Sequence, residues 1–202
     1  MKLRILNTEI ELSYTLLCLA AVAVILNIAG DFLFCVIAVI IHESGHLLAM
    51  LRYGYFPDRI KIAPFEILIS DPLRERRSDR ENFFIIFFGP FSNFICVIPF
   101  YLLYLLGGTA FLRLSAANLS VGLFNSLPVL TLDGGQLLSL LLSRRIGRER
   151  AGGAVNMITL ATIFPLAALG FIVLFQSKGN FSLLFVCFYL VLSLLKRDGG
   201  YD

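Results

Sequence analysis

The chain has 202 residues, 58% of them hydrophobic and 15% charged, with a formal net charge of +3 and a mean hydropathy of +0.84. Soluble domains run nearer about 45–50% apolar and about 25% charged, so these values describe a membrane protein and exclude a disordered segment, a disulfide-stapled secreted module and a large multidomain enzyme. The small charge excess lies in short basic clusters between apolar runs, which argues for no nucleic-acid partner.

Apolar stretches long enough to cross a bilayer, which takes about 20 helical residues, occur at 12–29, 32–51, 83–106, 110–142, 155–175 and 181–195. They predict an all-α polytopic membrane protein of about six transmembrane helices, read as a single domain over 1–202. Lys2 and Arg4 precede the first run as they would in a signal peptide, but Glu9 and Glu11 spoil a basic leader and the run is overlong, so it reads as a retained helix. A tight Gly30-Asp31 turn joins the first two crossings. The 52–82 loop follows the second, and within it Arg59–Ile62 and Phe65–Ile69 show strand-like patterning around Ala63-Pro64, which predicts a small β-hairpin beside the membrane between helices two and three. A charged connector, 74–80, leads into the third crossing. Gly107-Gly108-Thr109 then turns the chain into the fourth.

The fourth run is too long for one straight helix, since Arg113 and Arg144 stand 31 positions apart. Pro128, which lacks an N–H donor, and Gly134-Gly135, which free the backbone, predict a broken fourth helix whose unwound part lines a cavity. Alternating crossings place 15 of the 17 Lys and Arg residues on one side of the membrane. By the positive-inside rule both termini are expected to be cytoplasmic. Cys18, Cys35, Cys96 and Cys187 each sit singly in apolar runs without C-x-x-C spacing and read as small hydrophobes.

Ionisable side chains in hydrocarbon cost a few kcal/mol each, so those present mark functional sites. Away from helix ends they are His42, Glu43 and His46 in the second crossing and Asp133 in the fourth, and the two histidines are the only ones in the protein. His42-Glu43-Ser44-Gly45-His46 is H-E-x-x-H. At about 100° per residue the two imidazoles lie about 40° apart around the helix and can converge on one ion, with Glu43 able to reach a water on it. His42 lies about 16 Å along the helix from Asp31 and about 15 Å from Arg52, near the middle of the membrane. Zinc in a catalytic site takes three protein ligands and an open position, and Asp133 is the candidate for the third. Gly89-Pro90-Phe91-Ser92-Asn93 in the third crossing is a kink with a polar residue beyond it, for which packing and participation in the site are both open readings.

On His42-Glu43-x-x-His46, Gly89-Pro90-x-x-Asn93 and Asn125-x-x-Pro128 with Leu132-Asp133-Gly134-Gly135, the chain resembles the site-2 protease family of intramembrane zinc metalloproteases. Its layout is most similar to the branch of stage IV sporulation protein FB, a bacterial protease that removes the pro-sequence of a sporulation sigma factor. The resemblance implies a Zn2+ cofactor on His42, His46 and Asp133, Glu43 as general base, and Asn125, with Asn93, as holders of substrate or of the developing oxyanion. It further implies a zinc-dependent endopeptidase in a multi-pass bacterial cell membrane, acting on a membrane-associated protein substrate under a membrane-bound inhibitor or regulator. Neither a regulatory nucleotide-binding domain nor a PDZ domain is expected. Thr131 departs from relatives that carry a second proline there. Two rival readings are a metal-ion transporter, which needs no glutamate beside its first ligand, and a catalytically silent membrane scaffold, which needs no intact Glu43.

Overall fold

Four short strands build one sheet in the order β1-β2-β3-β4: β1 (Lys2–Ile5), β2 (Thr8–Leu12), β3 (Arg59–Ile62) and β4 (Ile67–Ser70). This is a computed structural model, and it describes residues 2–5, 8–12, 14–56, 59–62, 67–70, 77–176 and 182–198. The expected turn at Ala63-Pro64 and residues 74–76 of the connector lie outside them. β3 pairs antiparallel with β4, Arg59 opposite Ser70 and Ile62 opposite Ile67, while β2 pairs parallel with β3. Parallel neighbours need a long crossover, and here it is a pair of helices, α1 (Tyr14–Ile25) and α2 (Ala29–Arg52). The strands at Lys2–Leu12 depart from the all-helical expectation. Their register aligns Arg4, Glu9 and Arg59 in one row, and Lys2, Glu11 and Lys61 in another. Glu9 and Glu11 thus occupy positions between basic residues of the neighbouring strands.

The chain forms two compact units, 1–123 and 124–202. In the first, α1 and α2 are joined through Asn27, whose φ of 58° is in the left-handed region that Asn tolerates better than most residues. The turn therefore sits before Gly30-Asp31, which belong to the first turn of α2. α3 (Asp79–Leu105) starts in a capping box: the Ser78 hydroxyl accepts from the Glu81 N–H, and the Glu81 carboxylate accepts from the Ser78 N–H at 2.8 Å. Behind this start Tyr55 packs on Ala49, Met50 and Ile85, with the Arg77 guanidinium 4.1 Å from its ring centre. α3 ends at Gly107, whose φ of 104° suits glycine alone, and α4 (Thr109–Asn125) returns. Helices α2 and α3 approach through small residues. A Cβ on Gly45 would strike the Phe88 carbonyl, so only glycine lets the two backbones come this close.

In the second unit the end of α4 is followed by seven non-helical residues, 126–132, then α5 (Asp133–Ile146), α6 (Arg148–Gln176) and α7 (Ser182–Asp198). The expected break in the fourth apolar run is thus present, and α5 ends at Gly147 with φ of 83°. Val129 and Leu132 of the broken segment pack with Ile163 and Leu190 to make the core. Among the described residues three helices, α2, α3 and α6, are long and apolar enough to cross a membrane, whereas α1, α4, α5 and α7 are shorter. Large apolar side chains point outward along them, as at Phe164 and Phe175, which lipid contact accommodates at no cost.

Candidate metal centre

His42 and His46 occupy successive turns of α2, and each is held by its Nδ1. The His46 Nδ1 lies 2.8 Å from the Ile85 carbonyl of α3, and the His42 Nδ1 lies 2.8 Å from Asn93 Oδ1. A carbonyl can only accept, so His46 carries its proton on Nδ1. The Asn93 amide is oriented by its other end, where Nδ2 donates to the Ala38 carbonyl at 2.8 Å and to Asn118 Oδ1 at 3.0 Å. Its Oδ1 therefore faces His42, which likewise donates from Nδ1. The two Nε2 atoms face each other at 3.2 Å with the rings nearly perpendicular.

With each Nδ1 engaged by another group, the Nε2 atoms are the ring nitrogens that the two histidines can offer to one metal ion. The donor chemistry of the pair therefore fits a divalent metal of the zinc type. Glu43, next to the first ligand, is half-buried. A Cβ on Gly89 would fall on the His46 imidazole, so the glycine before Pro90 in α3 leaves room for the ring.

Asp133 is the first residue of α5 and is 9% exposed. A carboxylate there is favoured by the positive end of the helix dipole. The two glycines that follow serve close approach: a Cβ on Gly134 would strike the Ser126 and Leu127 carbonyls, and one on Gly135 would strike Val129. From α6, the buried Thr159 hydroxyl accepts from the Leu130 N–H at 3.0 Å and lies 3.5 Å from the Pro128 carbonyl, so one side chain satisfies backbone that the break left without helical partners. Asn125 ends α4, half-buried. His42 and His46 belong to the first unit and Asp133 to the second.

Asn93 stands elsewhere than the sequence suggests. It is fully buried with both ends of its amide engaged, which places it behind His42 and leaves it no donor for substrate or oxyanion. Asn118 and Thr159 were missed altogether. Each is an uncharged polar residue in an apolar helix, and only the rarity of such groups in hydrocarbon could have drawn attention to them.

Residues 106–166 match the model of peptidase family M50. The chain is 27% identical over 158 residues to the zinc metalloprotease MJ0392 of Methanocaldococcus jannaschii, covering 71% of this chain and 45% of that protein. It is 28% identical over 116 residues to stage IV sporulation protein FB of Bacillus subtilis, covering 56% and 40%. The chain thus spans less than half the length of these curated relatives. Among solved structures, the site-2 protease from Methanocaldococcus jannaschii superposes with a TM-score of 0.66 at 24% identity, covering 94% of this chain and 91% of that one. That match shows a shared fold. The M50 match spans the Asp133 break, and the H-E-x-x-H pair lies on α2, so the chain is similar in sequence over 106–166 to peptidase family M50 and shares its fold with a solved site-2 protease.

Proposed function

We propose that the protein is an intramembrane zinc endopeptidase that hydrolyses peptide bonds of membrane-associated proteins. The observation that carries this reading is the His42–His46 pair, whose Nε2 atoms face each other at 3.2 Å with a carboxylate, Glu43, at the adjacent position. His42, His46 and Asp133 would hold the ion. When bound, zinc acts as a Lewis acid that polarises the scissile carbonyl and lowers the pKa of water beside it towards about 7. Glu43 takes the proton from the attacking water and delivers it to the leaving amine nitrogen. Asn125, at the end of α4, supplies an amide for substrate or oxyanion.

The membrane layout proposed is six crossings with both termini cytoplasmic, supported by the 15 of 17 basic residues on one side, and the chain works as one protease domain. The narrower substrate reading, the pro-sequence of a sigma factor, is supported by the resemblance to the sporulation branch. The test is purified protein with zinc and a membrane-associated peptide in detergent, wild type beside Glu43→Gln. Cleavage is expected to fall by orders of magnitude in the variant while zinc content stays at the wild-type level. Wild-type cleavage by Glu43→Gln would refute the mechanism.

A further inference from the structure

Two amides stand behind His42, and both Asn93 of α3 and Asn118 of α4 are fully buried. Their direction is set by two backbone carbonyls. The Leu114 carbonyl accepts from Asn118 Nδ2 at 2.9 Å, which leaves Asn118 Oδ1 to accept from Asn93 Nδ2 at 3.0 Å. The Ala38 carbonyl takes the other hydrogen of Asn93 Nδ2 at 2.8 Å, which turns Asn93 Oδ1 towards His42 Nδ1 at 2.8 Å. An amide whose nitrogen already faces acceptors cannot flip without setting oxygen against oxygen.

The seam between α3 and α4 has other contacts besides the amide pair. Ser115 Oγ donates to the Val97 carbonyl at 3.1 Å, three positions before Asn118. Four positions after it, a Cβ on Gly122 would meet Asn93 Cβ at 3.2 Å, so α4 rides directly on α3 at the amide pair. Ser115, Asn118 and Gly122 share one helical face.

We propose that Asn118 is a positioning residue that acts through Asn93: the two amides form a directional relay that holds His42 protonated on Nδ1 and keeps its Nε2 lone pair for the metal. The inference rests on the reading of His42 as a metal ligand. Hydrogen bonds between helices are also general membrane glue, and the two roles differ in what they move. Glue affects helix association alone, whereas the relay affects metal affinity, because a neutral imidazole freed at Nδ1 can place its proton on Nε2 and compete with the ion.

The experiment measures zinc affinity by chelator competition and thermal melting of the full chain in detergent. It compares wild type with Asn93→Leu, Asn118→Leu, the double variant, His42→Ala and Ser115→Ala. Asn93→Leu is expected to weaken zinc by about 10–100-fold, the range typical when a ligand's hydrogen-bond partner is removed. Asn118→Leu should weaken it by a smaller factor, and the double variant should match Asn93→Leu within about twofold, since one residue acts through the other. Ser115→Ala removes a bond on the same seam and should lower melting with zinc affinity unchanged.

Wild-type affinity in Asn118→Leu, or additive losses in the double variant, would overturn the relay while leaving the protease reading intact. If the wild type binds no zinc, or His42→Ala binds it normally, both readings fail. Should the leucine variants not fold, imidazole 15N spectra of the wild type decide: Nδ1 of His42 is expected to carry its proton with and without zinc, and a bare Nδ1 would overturn the relay.

Discussion

Alanine at Gly89 tests the placement of His46 most directly. The added Cβ would meet Nε2, Cε1 and Cδ2 of the His46 ring, the last of these at 3.0 Å. Carbon atoms pack at about 3.5–4.0 Å, so the near edge of the ring must retreat by more than about 1 Å or α3 must move away from α2. A metal–ligand bond tolerates about 0.2 Å, and the retreat therefore removes a ligand. Zinc affinity is expected to fall about 100-fold or more, at or beyond the top of the range seen when only a supporting residue is changed. The overpacking itself should cost about 1–3 kcal/mol. The assay is zinc content after purification together with chelator competition, read beside the melting temperature. A variant that melts lower yet binds zinc with wild-type affinity would show that His46 is not a ligand in this geometry.

Alanine at Gly152 makes the contrasting case: nothing lies within 4 Å of a Cβ there, inside α6, so the helix should gain about 0.5–1 kcal/mol, seen as a higher melting temperature with zinc content unchanged. Thr159→Val keeps the shape but deletes the acceptor of the Leu130 N–H; a loss of about 1 kcal/mol in stability is expected, and an unchanged melting temperature would remove Thr159 from the support of the break. Asp133→Ala should lose zinc as well as cleavage, unlike Glu43→Gln, and full zinc occupancy would strike Asp133 from the ligand set.

How much of this was legible beforehand depends on the range over which each feature is determined. H-E-x-x-H is a local pattern. The helical period alone brings His42 and His46 onto one face, and the cost of ionisable groups in hydrocarbon alone marks them, with Glu43 and Asp133, as candidate functional residues. The break before Asp133 was legible for the same kind of reason, because a proline and an overlong apolar run cannot make one straight helix.

Other features depend on partners far along the chain. Lys2–Ile5 and Thr8–Leu12 are too short for their alternation to stand out, and β2 finds its neighbour at Arg59–Ile62, some fifty residues on. Gly134 and Gly135 read in the sequence as freed backbone and Gly45 as a mere spacer in H-E-x-x-H, yet each stands where another segment's carbonyl leaves no room for a Cβ. Asn93 could be noticed but not assigned, since an amide has two chemically opposite ends and only the Ala38 carbonyl and Asn118 decide which one His42 receives. Composition and local periodicity determine that the chain is a membrane protein with a histidine pair at metal-ligand spacing on a helix. Which groups stand behind those ligands is decided by helix packing, because a hydrogen bond between side chains distant in sequence exists only once the helices that carry them have met.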